Sequence, residues 1–155
     1  MNHLTALLSD PHFLKLVPCQ KVSFLAGSVI LKEDEEGQEL FLLTKGQVEV
    51  SSTPMDDANG IPVKLAVLEV GDIFGELSMF DCGPRSAYVT ALTDCEVFRV
   101  NGPKLISYLD EHPDSGYFVI RELFMHLVLH IRQNNMRTRM AVQMYYQEHQ
   151  DDESV

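Results

Sequence analysis

A chain of 155 residues, 45% of them hydrophobic, is long enough to close a core, and with no low-complexity block it is not a disordered linker. A formal net charge of -11 repels the phosphate backbone and argues against direct nucleic-acid binding, so any anionic ligand has to be held by close, local donors. Cys19, Cys82 and Cys95 are odd in number and lack C-x-x-C spacing, which points away from a disulfide framework or a zinc site and toward the cytoplasm.

Met1 to Val17 contain Asp10 and Pro11 and no unbroken apolar core, so no signal peptide is read. Nowhere does the chain approach the ~20 apolar residues of a membrane span. The helical spacing of Leu4, Leu7 and Leu8 predicts a short amphipathic helix reaching through Thr5 to Leu16. Between Val22 and Val100 we read about eight short strands, broken at Gly27, Gly37, Gly46, Gly71 and Gly83, as an antiparallel, jelly-roll-like β-roll requires. Glu39 to Leu43 and Glu96 to Val100 have the β-branched and aromatic content of strands. Pro54 to Pro62, with Asp56, Asp57 and Asn59-Gly60, reads as an exposed hairpin tip.

The most informative stretch runs from Phe74 to Ala91 and suits a small cyclic phosphodiester. Such a ligand needs a cation for its phosphate, backbone N–H donors and an acceptor for its free ribose hydroxyl. Gly75 lets an anion approach the main chain where a short helix begins, and Glu76 follows in the first turn, where the helix dipole tolerates its carboxylate. Gly83-Pro84 stops that helix, the glycine being free to take the positive φ of a reversal. Arg85 then offers a fork of N–H donors to two phosphate oxygens, Ser86 adds a hydroxyl, and Ala87 keeps the wall thin. Cys82, within this stretch, reads as a small buried filler.

After Asn101 the period changes to that of helices. Pro103 to Leu109 fits a short one, and His112-Pro113-Asp114 makes a break with Asp114 or Ser115 as N-cap. From Tyr117 a long helix carries Ile120, Leu123, Phe124, Leu127, Val128 and Ile131 as a stripe expected to bury. The same seam continues into Asn134 and Asn135, where a polar side chain either fixes the register of a helix pair or reads the edge of a bound base. Met140, Val142, Met144, Tyr145 and Tyr146 either extend the helix as a docking surface or belong to a fraying end.

No enzyme is read. The six histidines form no His-x-His pair, and His126 with His130 lacks the glutamate of a His-Glu-x-x-His site, so both are taken as helix-surface residues. No Gly-x-Ser-x-Gly elbow is present.

Phe74-Gly75-Glu76-Leu77 followed by Arg85-Ser86-Ala87 closely resembles the phosphate-binding cassette of the cyclic nucleotide-binding domains. Leu25-Ala26-Gly27, Gly37, Gly46-Gln47-Val48 and Gly71-Asp72-Ile73-Phe74 fall where that family's β-roll turns, so the resemblance spans about Phe13 to Asn135. It implies an α+β, mostly β fold: a short N-terminal helix, the β-roll, a short cassette helix and a long C-terminal helix. The layout it implies is a binding domain over residues 1–135 and a helix extension with an acidic tail over 136–155. It further implies that Glu76 takes the ribose 2′-hydroxyl, that Arg85 and Ser86 take the cyclic phosphate with Gly75 and Ala87 beside them, and that Val50, Leu65 and Leu68 line the base or ribose. Phe74 and Leu77 would complete that wall. In the activator branch of the family a polar pair on the long helix contacts adenine and the helix pairs in a dimer. Asn134 and Asn135 match that pair if one helical turn is inserted after Pro113; a one-turn slip would move it to His130 and Ile131. The 20 residues from Met136 to Val155 are too short for the helix-turn-helix of that branch. The expected function is a stand-alone sensor of cAMP, with cGMP second, acting through its C-terminal helix on a dimer or a downstream protein, with no other cofactor and no metal. A ligand-free dimerisation module and a cyclic dinucleotide binder are the alternatives.

Overall fold

The computed structural model describes residues 3–53, 60 and 62–152. Two short helices, α1 (His3–Leu7) and α2 (Pro11–Leu16), stand where one was expected. The break lies at Asp10, whose side chain accepts from the His12 N–H as an N-cap, with Pro11 pre-set in the first helical turn.

Among the described residues eight antiparallel strands follow: β1 (Cys19–Phe24), β2 (Val29–Leu31), β3 (Leu40–Lys45), β4 (Val48–Ser52), β5 (Val63–Leu68), β6 (Ile73–Phe74), β7 (Tyr88–Ala91) and β8 (Cys95–Val100). They form two four-stranded sheets, in the orders β1-β8-β3-β6 and β2-β7-β4-β5. The loop expected over Pro54 to Pro62 lies largely outside the described residues, but β4 and β5 on either side of it pair as a hairpin would.

The unbroken apolar run of β3 has a reason in the period-two geometry of strands. Leu40 and Leu42 join one core with Leu4, Phe13, Ile73, Met79, Leu105 and Leu123, while Phe41 and Leu43 join the other with Val48, Phe74, Val89 and Val97. From Leu40 to Leu43 β3 therefore has no solvent face, and β6 divides likewise, Ile73 to the first core and Phe74 to the second. The first core is closed by helices and the second by strands from both sheets. This fixes the ends of β3 and β6, between which the candidate site lies.

The cassette helix α3 (Glu76–Asp81) ends at Cys82, which takes the left-handed conformation at φ 55°; Gly83 does not. The side chain of Asp81 accepts from the Gly83 N–H at 2.8 Å, so the reversal is made one residue early by an Asx-type turn. This leaves Cys82 exposed, against the expectation of a buried filler.

α4 (Gly102–Glu111) is capped by Asn101, and α5 (Pro113–Asp152) begins at Pro113, four residues ahead of the expected Tyr117. Proline suits a first helical position, and His112, the C-cap of α4, is the only residue between the two helices. Among the described residues of α5, Gly116, Val119 and Leu123 are buried, whereas Ile120 and Phe124 are exposed, so only Leu123 of the expected stripe is fully buried and the buried face is rotated toward Val119. Gly116 allows the tight turn: a Cβ there would meet the Leu109 carbonyl oxygen at 2.6 Å. Glu122 reaches back to accept from the N–H groups of His3 and Leu4, at 2.7 and 3.2 Å, capping α1 from a position over a hundred residues later. The chain divides into two compact units, Met1–Leu123 and Phe124–Val155. Among the described residues no helix is long and apolar enough to cross a membrane.

Candidate functional site

Arg85 is buried, at 4% exposure, in the corner where the loop before β3 meets the end of β6. Its main chain is held first: the Arg85 N–H donates to Glu35 O, and the Asp34 N–H donates to Arg85 O, both at 2.8 Å. Its side chain is held as firmly. Nη1 donates to the main-chain oxygens of Glu39 and Gly75 at 3.0 and 3.2 Å, and Nη2 donates to Glu39 Oε2 at 3.1 Å. The guanidinium also lies 5.7 Å from the centre of the Phe41 ring, which stacks on Phe74 at 5.1 Å.

Burial pulls the Arg85 guanidinium below its ordinary value, and the charges of Glu39 and Glu76, with the Glu39 hydrogen bond, oppose that. The result is a desolvated cation with the Glu39 carboxylate in contact and the charge of Glu76 nearby. A guanidinium keeps its proton throughout the physiological range, so the corner carries a permanent positive charge.

Two glycines make the corner possible. Gly75 caps α3 at φ 81°, a left-handed conformation; a Cβ there would sit 2.8 Å from Glu39 O and 2.9 Å from Arg85 Nη1. A Cβ at Gly37 would lie 2.9 Å from Arg85 Nη2 and 3.1 Å from Glu39 Oε2.

The structure brings Gly75, Glu76 and Arg85 together, with Glu76 buried at 9% exposure. Ser86 is exposed and Ala87 half-buried on the way into β7. Phe74 and Leu68 are core residues at 4% and 3% exposure, while Val50, half-buried, packs against that core. Leu65 is half-buried on β5, at the bulge opposite Val50 and Ser51. Leu77 is exposed on α3, and Asn134 and Asn135 are exposed in the second unit, on α5. Sequence reasoning missed Glu39 as part of the corner, having read it as the start of a strand, and took Gly37 only for a turn. The sole local signal was an acidic run, Glu33 to Glu36, ending in Gly37-Gln38-Glu39.

A groove lies on the far side of α3, lined by Phe80 from that helix, Ile106 and Leu109 from α4, and Pro113, Tyr117 and Ile120 from α5. It places the cassette helix and the start of α5 against one common surface. Among the described residues no group of three or more His, Cys, Asp or Glu side chains is placed to hold a metal ion.

Known proteins resemble this chain in sequence and fold. The family model for the cyclic nucleotide-binding domain matches residues 21–112. The cAMP-activated global transcriptional regulator CRP of Haemophilus influenzae is 31% identical over 109 residues, covering 70% of this chain and 47% of that protein. A CRP-like cAMP-activated global transcriptional regulator of Mycobacterium tuberculosis is 29% identical over 104 residues, covering 67% and 45%. The crystal structure of a cyclic nucleotide-binding domain from Methylobacillus flagellatus superposes with a TM-score of 0.69 at 28% identity, covering 77% of this chain and 65% of that one. The chain spans about half the length of the curated relatives it matches.

Proposed function

The chain belongs to the cyclic nucleotide-binding domain family, whose matched stretch is a non-enzymatic binding module, and from that premise we propose that it senses a cyclic nucleotide, cAMP ahead of cGMP. The observation that carries this reading is the desolvated Arg85 guanidinium, which the chain builds around two glycines and flanks with Glu76. Arg85 takes the cyclic phosphate with Ser86, Ala87 and the Gly75 corner around it, and Glu76 takes the ribose 2′-hydroxyl. Val50, Leu65, Leu68, Phe74 and Leu77 supply apolar wall. The curated relatives above are named as cAMP-activated, which favours cAMP.

Ligand drives a change of state only through unequal affinity for two arrangements. The natural path runs from the Gly75 corner through α3 to Phe80, which shares a groove with Tyr117 and Ile120 of α5. The output is then a second copy or a downstream protein that engages α5, with Asn134 and Asn135 setting helix register or contacting the base. The binding domain on this reading extends to residue 135, and residues 136–155 form the extension. The three cysteines are free thiols, in keeping with a cytoplasmic setting.

One observation favours a second reading, a module that has kept the fold and lost its ligand: Arg85 already donates to three acceptors of its own chain. A thermal-shift series with cAMP, cGMP and a cyclic dinucleotide separates the readings. A ligand at about 100 times its Kd adds about 2.7 kcal/mol to the native state, which raises Tm by roughly 5–10 °C for a chain of this size. A shift with cAMP is expected; no shift with any of the three establishes the ligand-free module, and a shift with the dinucleotide alone reassigns the ligand.

A further inference from the structure

Resting on that reading, we propose that Glu39 is a resident counter-anion, whose carboxylate holds the Arg85 edge that a cyclic phosphate takes and must be displaced for ligand to bind. The starting observation is a mismatch. The Arg85 side chain is 4% exposed, yet the Glu39 side chain touching it is 44% exposed. A guanidinium so closed to solvent admits an incoming anion only if a neighbour gives way.

Of the three acceptors on Arg85, two cannot give way cheaply. Glu39 O and Gly75 O are main-chain atoms, the first at the mouth of a strand buried on both faces and the second at a helix cap. The third is the Glu39 carboxylate, at the end of a rotatable side chain whose outer half is already in water. Its main chain stays anchored to Nη1 while the side chain turns away. Gly37 leaves that sweep open, since even a single methyl group there would lie 3.1 Å from Glu39 Oε2.

Charge accounts for why an anion sits there at all. A buried cation left without a partner is strongly destabilising. Exchange of one carboxylate for one phosphodiester keeps the local charge constant, so the corner is neutralised in both states. The grip being exchanged is weak: one contact at 3.1 Å, longer than the ~2.7–2.9 Å of a good charge-assisted bond and not bidentate. A phosphate that engages two N–H groups of the fork gains over it.

Glu39→Gln decides the matter, because glutamine keeps the shape and the acceptor oxygen and removes the charge. Affinities for cAMP and cGMP are measured by titration calorimetry on wild type and variant, with circular dichroism to verify the fold. The expected result is a Kd lowered about three- to tenfold, the size of a charge-assisted contact discounted for exposure, together with a lower Tm in the absence of nucleotide. Glu39→Asp, which keeps the charge and retracts it by one methylene, is expected to fall between the two and serves if the glutamine variant fails to fold. Equal or weaker binding by a folded Gln variant, with wild type binding normally, overturns the inference and leaves the sensor reading standing, since Glu39 would then only position Arg85. Binding by the Gln variant alone supports the inference in its strongest form. Binding by neither protein removes the sensor reading and the inference with it.

Discussion

Around Arg85 a charge has been withdrawn from water and given acceptors from the Glu39 main chain just before β3, the cap of α3 and the Glu39 carboxylate, while from Phe124 onward α5 leaves large apolar side chains in water. Phe124 is 62% exposed, Met144 63% and Tyr146 62%. The first arrangement is closed on itself: every partner is supplied by the same chain, and two glycines are required for it to fit. The second buries little of its apolar side-chain surface, so local hydrogen bonds and propensity matter more to its helix. The contrast separates a buried cation whose acceptors come from nearby main chain and one side chain from a helical surface left exposed.

The sharpest way to break the contrast is Arg85→Ala. Nucleotide affinity should fall by at least about a hundredfold, the scale of losing two charge-assisted bonds. The two main-chain oxygens left without a donor should also cost about 2–4 kcal/mol of stability in urea denaturation. Intact affinity in titration calorimetry would remove the corner from the binding site.

Gly75→Ala comes next. A left-handed alanine costs roughly 1–2 kcal/mol, and its Cβ would press on Glu39 O at 2.8 Å. We expect a total loss of about 2–3 kcal/mol, with the thermal midpoint lowered and the acid-unfolding midpoint moved to higher pH. Unchanged stability would mean that α3 can start elsewhere.

A smaller effect concerns Glu33, in the acidic loop that continues to Glu39. Its carboxylate accepts from Ser52 Oγ at 2.5 Å and from the Thr53 N–H at 3.1 Å, and these bonds hold it below its ordinary value of 4.5. The folded chain therefore gives up this proton more readily than the unfolded chain does. The resulting stabilisation is full above pH 4.5 and is lost as pH falls through the lowered value. Urea midpoints followed from pH 6 to about pH 3 should decline less steeply for Glu33→Gln than for wild type.

The smallest expected change lies on the outward surface. Phe124→Gln and Met144→Gln should alter urea stability of the dilute protein by no more than about 0.5 kcal/mol, as for other exposed positions. A loss several times larger, growing with protein concentration, would show that this face is covered in solution by a second copy.

Much of this was legible in the sequence because it is encoded by neighbours. Gly75-Glu76 and Gly83-Pro84 bracket a helix that the structure gives as Glu76–Asp81, and the apolar run after Glu39 is the doubly buried β3. Other features are set by atoms distant along the chain. Glu39 meets Arg85 across 46 positions, and the acidic run before Glu39 does not say which cation it meets. The early start of α5 follows from proline serving as a first helical residue where it was read as a break. The rotated stripe follows from where α1, α2 and α4 leave room, which is why Val119 and Leu123 are buried. Cys82 in a left-handed turn is a local choice, but one that a glycine next door made the less obvious.

The Glu122 carboxylate that receives the amide hydrogens of His3 and Leu4 ties the order of synthesis to the order of assembly. α1 cannot be capped this way until the chain has been made as far as Glu122. Protection of those two amides against hydrogen exchange would thus time-stamp the completed unit, appearing only in nascent chains that extend past residue 122.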